Sequence, residues 1–136
     1  MVNDEHKATG KDSNDTMFGI QEVSEITGIS AFTIRYYDKC GFFPNLKRGK
    51  RGVRSFSQSD IQQLTLVDSL RKSGLSIEGI GYYVRLCNKG DETRPDRLAI
   101  LQTQTTALEY QIAEAENSLA FLRSAQNQLK EKSGSA

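Results

Sequence analysis

The sequence predicts a mainly α-helical protein, in which a small domain of short helices with a two-stranded wing precedes one long C-terminal coiled-coil helix. Three observations predict this fold class. Short apolar stripes at helical spacing are separated by glycines, a basic glycine-rich stretch interrupts them, and a heptad repeat fills the last third of the chain. The 136 residues, 37% of them hydrophobic, suffice for one modest domain and such an appendage.

Composition excludes several classes of function before any motif is considered. No apolar run approaches the roughly 20 residues that a membrane helix requires, so we expect no membrane partner. Two cysteines, Cys40 and Cys87, cannot make a disulfide framework, and their spacing is not that of a zinc site. With His6 as the one histidine, we predict no catalytic residue, no metal ligand and no cofactor. The expected protein is cytoplasmic and not an enzyme.

Charge is distributed unevenly along the chain. Residues 1–16 form a polar leader with almost nothing to bury, and we predict that this leader is disordered. Residues 17–56 carry seven Lys and Arg against three Asp and Glu, a net charge of +4, whereas the whole chain carries only +1. This concentration of positive charge indicates a polyanionic partner for that segment.

The first two helices are predicted at about 20–39, around a glycine turn. An apolar residue at every third position precedes Gly28, which suits the left-handed conformation just past a helix end. Ser30 is then a good N-cap for a second helix over residues 31–40, and Gly41 ends it. Two short helices joined by a tight turn are a helix-turn-helix layout.

A basic hairpin, the wing, is predicted at about 45–56. Its glycines supply the turn, and Val53 and Phe56 are expected to anchor the returning strand. Two further amphipathic helices follow, each preceded by a serine that suits an N-cap. Together these elements predict a winged helix-turn-helix domain over residues 17–90.

The long helix is predicted over residues 91–132, followed by a tail at 133–136. From Leu98 a 3-4 repeat of apolar positions continues for nearly five heptads. A helix of this length cannot bury its stripe against a small domain of the same chain, so it requires a partner helix, and a second copy, antiparallel or parallel, is the simplest one. The predicted dimerisation residues are Leu98, Leu101, Leu108, Ile112, Leu119, Leu122 and Leu129.

The helix-turn-helix, the wing and the helices after them resemble the MerR family of bacterial transcription regulators. The resemblance covers residues 17–88 closely, and the long helix matches in kind. Asp38 stands where the family usually has glutamate, and Val53 where it usually has the tyrosine of the wing. The residues that carry the resemblance are Ile20–Ser30, Thr33–Asp38, Gly41–Phe42, Gly52–Arg54, Phe56, Asp60–Ile61 and Gly74–Ile80.

The resemblance implies a homodimer that binds palindromic double-stranded promoter DNA. It implies activation by bending and untwisting the spacer, so that RNA polymerase engages both promoter elements. The second helix is expected in the major groove, where its N-terminal residues meet base edges. Phe32 could be one of these residues, although Phe32 and Ile34 are expected in the core rather than in contact with DNA. Either tyrosine could pack in the core instead of contacting the backbone, although the family implies a phosphate contact for Tyr37. The predicted DNA-binding residues are Ser30, Ala31, Thr33, Arg35, Tyr36 and Tyr37 of the second helix, with Lys47, Arg48, Lys50, Arg51 and Arg54 of the wing.

Cys87 is the candidate redox sensor. No cysteine follows it, so thiolate metal sensing is not expected, and the chain ends too soon after the long helix to hold a drug-binding domain. The remaining likeness is to the small thiol- or aldehyde-responsive branch, whose effector would be an electrophile or oxidant. The alternatives are an architectural or recombination-accessory winged-helix DNA-binding protein, and a helical interaction module that never binds DNA.

Overall fold

The computed structural model describes residues 16–135, and the side chains of residues 16–133. All of the predicted leader except Thr16 lies outside the described residues. The prediction of a mainly helical chain with a long C-terminal helix is confirmed. The described elements are helices α1 (Ile20–Thr27), α2 (Ala31–Lys39), α3 (Gln58–Lys72), α4 (Ile77–Lys89) and α5 (Arg94–Ser135), and strands β1 (Lys47–Arg48) and β2 (Arg54–Ser55).

The turn between α1 and α2 forms as the local sequence predicts. Gly28 ends α1 with φ of +77°, a left-handed conformation that glycine adopts without the steric cost of a Cβ. The Ser30 hydroxyl then accepts a hydrogen bond of 3.1 Å from the Thr33 N–H and caps α2. On its inner face α2 buries Ile34 and Tyr37, so the prediction that Ile34 belongs to the core is confirmed.

The wing is a two-stranded antiparallel hairpin in which Arg48 pairs with Arg54. Phe56, just after β2, is fully buried and exchanges two backbone hydrogen bonds of 2.8 Å with Phe18, which attaches the wing to the segment just before α1. Val53 does not anchor the returning strand as expected. Its side chain is 63% exposed, because Val53 lies at the end of the turn, before the hairpin reaches the core.

Helices α3 and α4 complete the domain, and both begin at serine N-caps as predicted. Ser57 accepts a hydrogen bond from the Asp60 N–H at 3.1 Å, and the Asp60 carboxylate accepts one from the Ser57 N–H at 3.0 Å, which is a capping box. Ser76 caps α4 through the Gly79 N–H at 3.0 Å. The buried faces of both helices pack against α1 and α2 in one hydrophobic core.

The junction between α4 and α5 is held by a group of hydrogen bonds around Thr93. Thr93 is buried, and its hydroxyl lies 2.7 Å from the carbonyl oxygen of Leu86 and 2.8 Å from that of Gly90. The Arg97 guanidinium donates to the Thr93 hydroxyl at 3.0 Å and to the Gly90 carbonyl at 3.2 Å. The first turn of α5 is therefore tied to the end of α4.

Helix α5 rests on the domain only along its N-terminal part. Ile100 and Leu101 pack against the core, and the Gln104 amide donates to the Ser73 hydroxyl at 3.0 Å. From residue 111 to residue 133 every described side chain is exposed except that of Ala125, which is partly buried. At 42 residues α5 is about 63 Å long, so most of it projects beyond the domain. None of the helices in the described part of the chain combines the length and apolar character needed to cross a membrane.

Candidate nucleic-acid interface

The outer face of α2 and strand β2 form one cationic, concave surface. Phe32, Arg35, Tyr36 and Lys39 recur at helical spacing on the side of α2 opposite the core. With Arg54 of the wing they line a depression of about 300 Å³. Three of these five side chains carry a positive charge. This surface is therefore suited to a polyanion that fits against a helix face.

Phe32 does not pack in the core as the sequence analysis expected. Its side chain is 76% exposed, in the first turn of α2. Two positions on, Ile34 is fully buried, because residues two apart on a helix point in different directions. The expectation for Phe32 is therefore wrong, and the outer surface of α2 carries an aromatic ring among its cations.

The N-terminal end of α2 holds the small polar residues predicted to contact DNA. The Ser30 hydroxyl donates to the Thr33 hydroxyl at 3.0 Å while it caps the helix. Ser30 is exposed, and Ala31 and Thr33 are partly exposed. Direct contact of these three residues with bases stays a prediction.

The structure assigns opposite places to the two adjacent tyrosines. Tyr37 is fully buried, and its hydroxyl donates to the Asp68 carboxylate of α3 at 2.8 Å. Burial raises the pKa of Tyr37 above its usual value. The phosphate contact implied for Tyr37 is therefore wrong, because neither its ring nor its hydroxyl reaches the surface. Tyr36 is 40% exposed on the outer face, and the Arg71 guanidinium lies 5.9 Å from the centre of its ring.

Removing the Tyr37 hydroxyl is expected to destabilise the domain. In a Tyr37→Phe variant the Asp68 carboxylate loses a buried hydrogen bond and keeps its ion pair with Lys72, at 3.0 Å. We expect the free energy of unfolding to fall by about 1–2 kcal/mol, measured by urea denaturation. Tyr36→Phe is the matched control, with an expected change below about 0.5 kcal/mol. Equal losses in the two variants would contradict this assignment.

Asp38 joins the second helix to the wing. Its side chain is only 5% exposed, and one carboxylate oxygen accepts hydrogen bonds from Arg48 at 2.7 Å and from Arg54 at 2.6 Å. These two arginines face each other across the hairpin, so the Asp38 carboxylate holds both strands. A guanidinium has five N–H donors, and each arginine retains donors for a phosphate. We call this group the Asp38 bracket; it fixes the wing relative to α2.

The Asp38 bracket makes stability depend on pH in the acid range. Burial alone would raise the pKa of Asp38, but the hydrogen bonds from Arg54 and Arg48 outweigh it and lower the pKa. Because the folded-state pKa lies below the unfolded value of about 3.9, the stabilisation is complete above that value. It is lost as the pH falls through the folded-state pKa.

An Asp38→Asn variant is therefore expected to be less stable than the unmodified protein at pH 7, by about 1–3 kcal/mol. The difference should hold down to about pH 5 and shrink below about pH 4. Urea denaturation at a series of pH values measures it. Glu114→Gln, at an exposed position of α5, is the control and should change little. A deficit that persists undiminished at pH 2 would contradict the role of the carboxylate charge.

The other wing cations are free to meet a partner. Lys47, Lys50 and Arg51 are exposed, and Lys50 and Arg51 belong to the 3-10 turn at the tip of the hairpin. Arg51 has φ of +64°, a left-handed conformation that is uncommon for a residue other than glycine. The tip therefore presents two adjacent cations beyond the Asp38 bracket.

Comparison with known proteins decides the family. The family model described as MerR HTH family regulatory protein matches residues 18–86. An uncharacterized HTH-type transcriptional regulator of Haemophilus influenzae is 38% identical over 101 residues, which are 74% of this chain and 75% of that protein. This chain belongs to the MerR family.

Two further comparisons agree with this assignment. The HTH-type transcriptional regulator AdhR of Bacillus subtilis is 35% identical to this MerR-family chain over 89 residues, which are 65% of this chain and 64% of AdhR. The crystal structure of HiNmlR, a MerR family regulator lacking the sensor domain, bound to promoter DNA, superposes with a TM-score of 0.73. It has 35% sequence identity and covers 77% of this chain and 80% of that one. The chain is thus a DNA-binding transcriptional regulator of the MerR family, not an enzyme.

The candidate sensor of this MerR-family chain lies in the last turns of α4. Cys87 is partly buried against the core and lines a small cavity of about 160 Å³ with Phe43, Gln63 and Asn88. The described residues contain no group of three or more His, Cys, Asp and Glu side chains able to hold a metal ion. A small reagent that enters this cavity would meet the thiol, which is compatible with a sensing role. That role stays a prediction for Cys87.

Sequence reasoning missed the groups that orient the interface of this MerR-family domain. The resemblance marks Asp38 only as a departure from glutamate, and the roles of Asp68 and Arg71 have no local signal. One signal for Asp38 was present, since it is the sole acidic residue from 26 to 56, among seven cations. A lone carboxylate in such a segment is an expected internal partner for arginines.

Proposed function

We propose that this regulator acts as a homodimer that binds a palindromic promoter site. In each subunit α2 enters a major groove and the wing lies on the adjacent phosphates. The observation that carries the proposal is the combination of one cationic face with one unpartnered apolar stripe. The face is formed by α2 and the wing, held together by the Asp38 bracket, and the stripe follows the heptad positions of α5.

The stripe supports dimerisation through its exposure in the single chain. Six of the seven predicted dimerisation residues are between 41% and 68% exposed, and Leu101 is partly buried against its own domain. Burying the exposed part of a Leu or Ile contributes about 1 kcal/mol, so twelve such side chains in a dimer contribute about 12 kcal/mol. This gain is of the same size as the cost of association, on the order of 4–15 kcal/mol. The six are Leu98, Leu108, Ile112, Leu119, Leu122 and Leu129.

DNA binding is supported by the structure of HiNmlR, a MerR family regulator that lacks the sensor domain and is bound to promoter DNA. For this chain we propose the same class of target, double-stranded promoter DNA in the bacterial cytosol. The recognition helix contributes Ser30, Ala31, Thr33, Arg35 and Tyr36. The wing contributes Lys47, Arg48, Lys50, Arg51 and Arg54.

Activation is proposed to follow from distortion of the bound promoter. Two domains at a set span hold both half-sites, and bending or untwisting the spacer costs on the order of 1–6 kcal/mol. Backbone contacts from both wings offset this cost, and RNA polymerase then engages both promoter elements. An electrophile or oxidant acting on Cys87 would shift the balance between two DNA-bound conformations without changing occupancy.

Selection from a random pool of duplexes tests the proposed function. We expect one palindrome whose half-sites repeat at the helical period of DNA. An array of unrelated sites would instead identify an architectural or recombination-accessory protein, and no enrichment at low salt would contradict DNA binding. Transcription from the selected site by purified RNA polymerase, with and without the regulator, tests activation.

The effector is tested on the same operator. A thiol-reactive electrophile is added to the unmodified protein, to Cys87→Ser and to Cys40→Ser, and promoter distortion and transcription are measured. We expect Cys40→Ser to respond like the unmodified protein and Cys87→Ser to be silent. A full response of Cys87→Ser would exclude Cys87 as the sensor.

A further inference from the structure

We infer that Phe32 is a specificity-determining residue that reads the C5-methyl group of thymine in each half-site, an inference that rests on the proposed function. Phe32 is the more exposed of the two aromatic rings on the outer face of α2, 76% exposed in the single chain against 40% for Tyr36. Phe32 lies in the first turn of α2, the end of a recognition helix that meets the base edges. Its position therefore places it toward the bases.

The surroundings of Phe32 match duplex DNA in charge. Arg35, Lys39 and Arg54 line the same depression as Phe32, so three positive charges surround the ring. Cations of this kind hold phosphates or guanine edges. A ring surrounded by such cations fits a ligand that carries anionic groups around a single apolar group.

The chemistry of a phenyl ring restricts what it can read. Phe32 has no hydrogen-bond donor or acceptor, so it cannot recognise the polar edges of bases. The apolar group that the major groove displays is the C5-methyl group of thymine. Contact between the ring and this methyl group removes both from water. Phe32 therefore favours thymine over cytosine at one position of each half-site.

The test removes the methyl group without altering base pairing. In the operator obtained from the duplex selection, each thymidine of a half-site is replaced by deoxyuridine, one symmetric pair at a time. Dissociation constants are measured at fixed salt for the unmodified protein, Phe32→Ala and Phe32→Leu. Phe121→Ala is the matched control, since Phe121 is also 74% exposed but lies on α5.

For the unmodified protein we expect one symmetric pair of replacements to weaken binding about fifteenfold. This is about fourfold per half-site, the factor for burying one methyl group. Phe32→Ala should bind the thymidine and deoxyuridine operators equally at that pair, and Phe32→Leu should keep part of the preference. Phe121→Ala should keep all of it.

Three outcomes would overturn the inference. If deoxyuridine is tolerated at every position, or if Phe32→Ala keeps the full preference, Phe32 does not read the methyl group although the protein still binds its operator. If the unmodified protein binds no duplex selectively, the proposed function itself fails, and the inference fails with it. The dissociation constant of the unmodified protein on the thymidine operator distinguishes these cases.

Discussion

A protein with Ile112→Lys and Leu119→Lys is expected to be monomeric at micromolar concentration and to bind operator DNA at least about 10³-fold more weakly. Both residues occupy the apolar stripe of α5 and are about half exposed in the single chain. In a dimer the lysines would face the partner helix, where desolvation and mutual repulsion oppose pairing. Loss of pairing separates the two domains, and the second half-site no longer benefits from a high effective concentration, commonly worth 10²–10⁴-fold.

Light scattering after size exclusion measures the oligomeric state, and fluorescence anisotropy measures binding. The control carries Glu114→Lys and Phe121→Lys, which lie on the side of α5 opposite the stripe. This control adds more positive charge than the test variant and should remain dimeric. A test variant that stays dimeric would mean that the heptad positions are not the interface. A monomer with unchanged operator affinity would mean that dimerisation is not needed for binding.

Neutralising the tip of the wing is expected to weaken operator binding at least about 10²-fold at 100 mM salt and to flatten its salt dependence. If a dimer neutralises about 6–10 phosphates, affinity of the unmodified protein falls about 10³–10⁵-fold between 50 and 200 mM salt. The double substitution Lys50→Gln and Arg51→Gln removes two phosphate-binding cations per subunit, which is four per dimer. The slope of log affinity against log salt should then become shallower by about 3.6, at about 0.9 per phosphate contact.

The control is Lys130→Gln with Lys132→Gln, which removes the same charge from the exposed end of α5. We expect its salt slope to change by less than about 1. An unchanged slope in the wing variant would remove the tip of the hairpin from the interface. Equal changes in the two variants would indicate that total charge, and not the position of the wing, governs binding.

The parts of the fold governed by neighbouring residues were predictable from the sequence. Ser30, Ser57 and Ser76 each cap the helix that follows, and Gly28 ends α1, because these effects act within four residues. The heptad repeat predicted α5 because apolar residues spaced alternately three and four positions apart over such a length fall on one face of a helix and not on one face of a strand.

The parts decided by distant partners were not predictable. Tyr36 and Tyr37 are adjacent, alike in chemistry and about 100° apart around the helix. Tyr37 is the buried one because its hydroxyl meets Asp68, 31 residues further along the chain. The link between Asp38 and Arg54 likewise spans 16 residues and crosses from a helix to a hairpin. The local sequence marks Asp38 as a partner for arginines but does not say which of them it binds, and no local pattern identifies Asp68 as the partner of Tyr37.

Because the hydrogen bonds around Thr93 hold the first turn of α5 in place, a change of angle at Gly90 would rotate the whole of α5 as one rigid rod. Over about 63 Å, a rotation of only about 5° at this point displaces the far end of the helix by about 5 Å. Such a displacement exceeds the rise between successive base pairs, about 3.4 Å along each strand. An angular adjustment too small to disturb the core would therefore move the far end of α5, relative to its own DNA-binding domain, by more than one base-pair step.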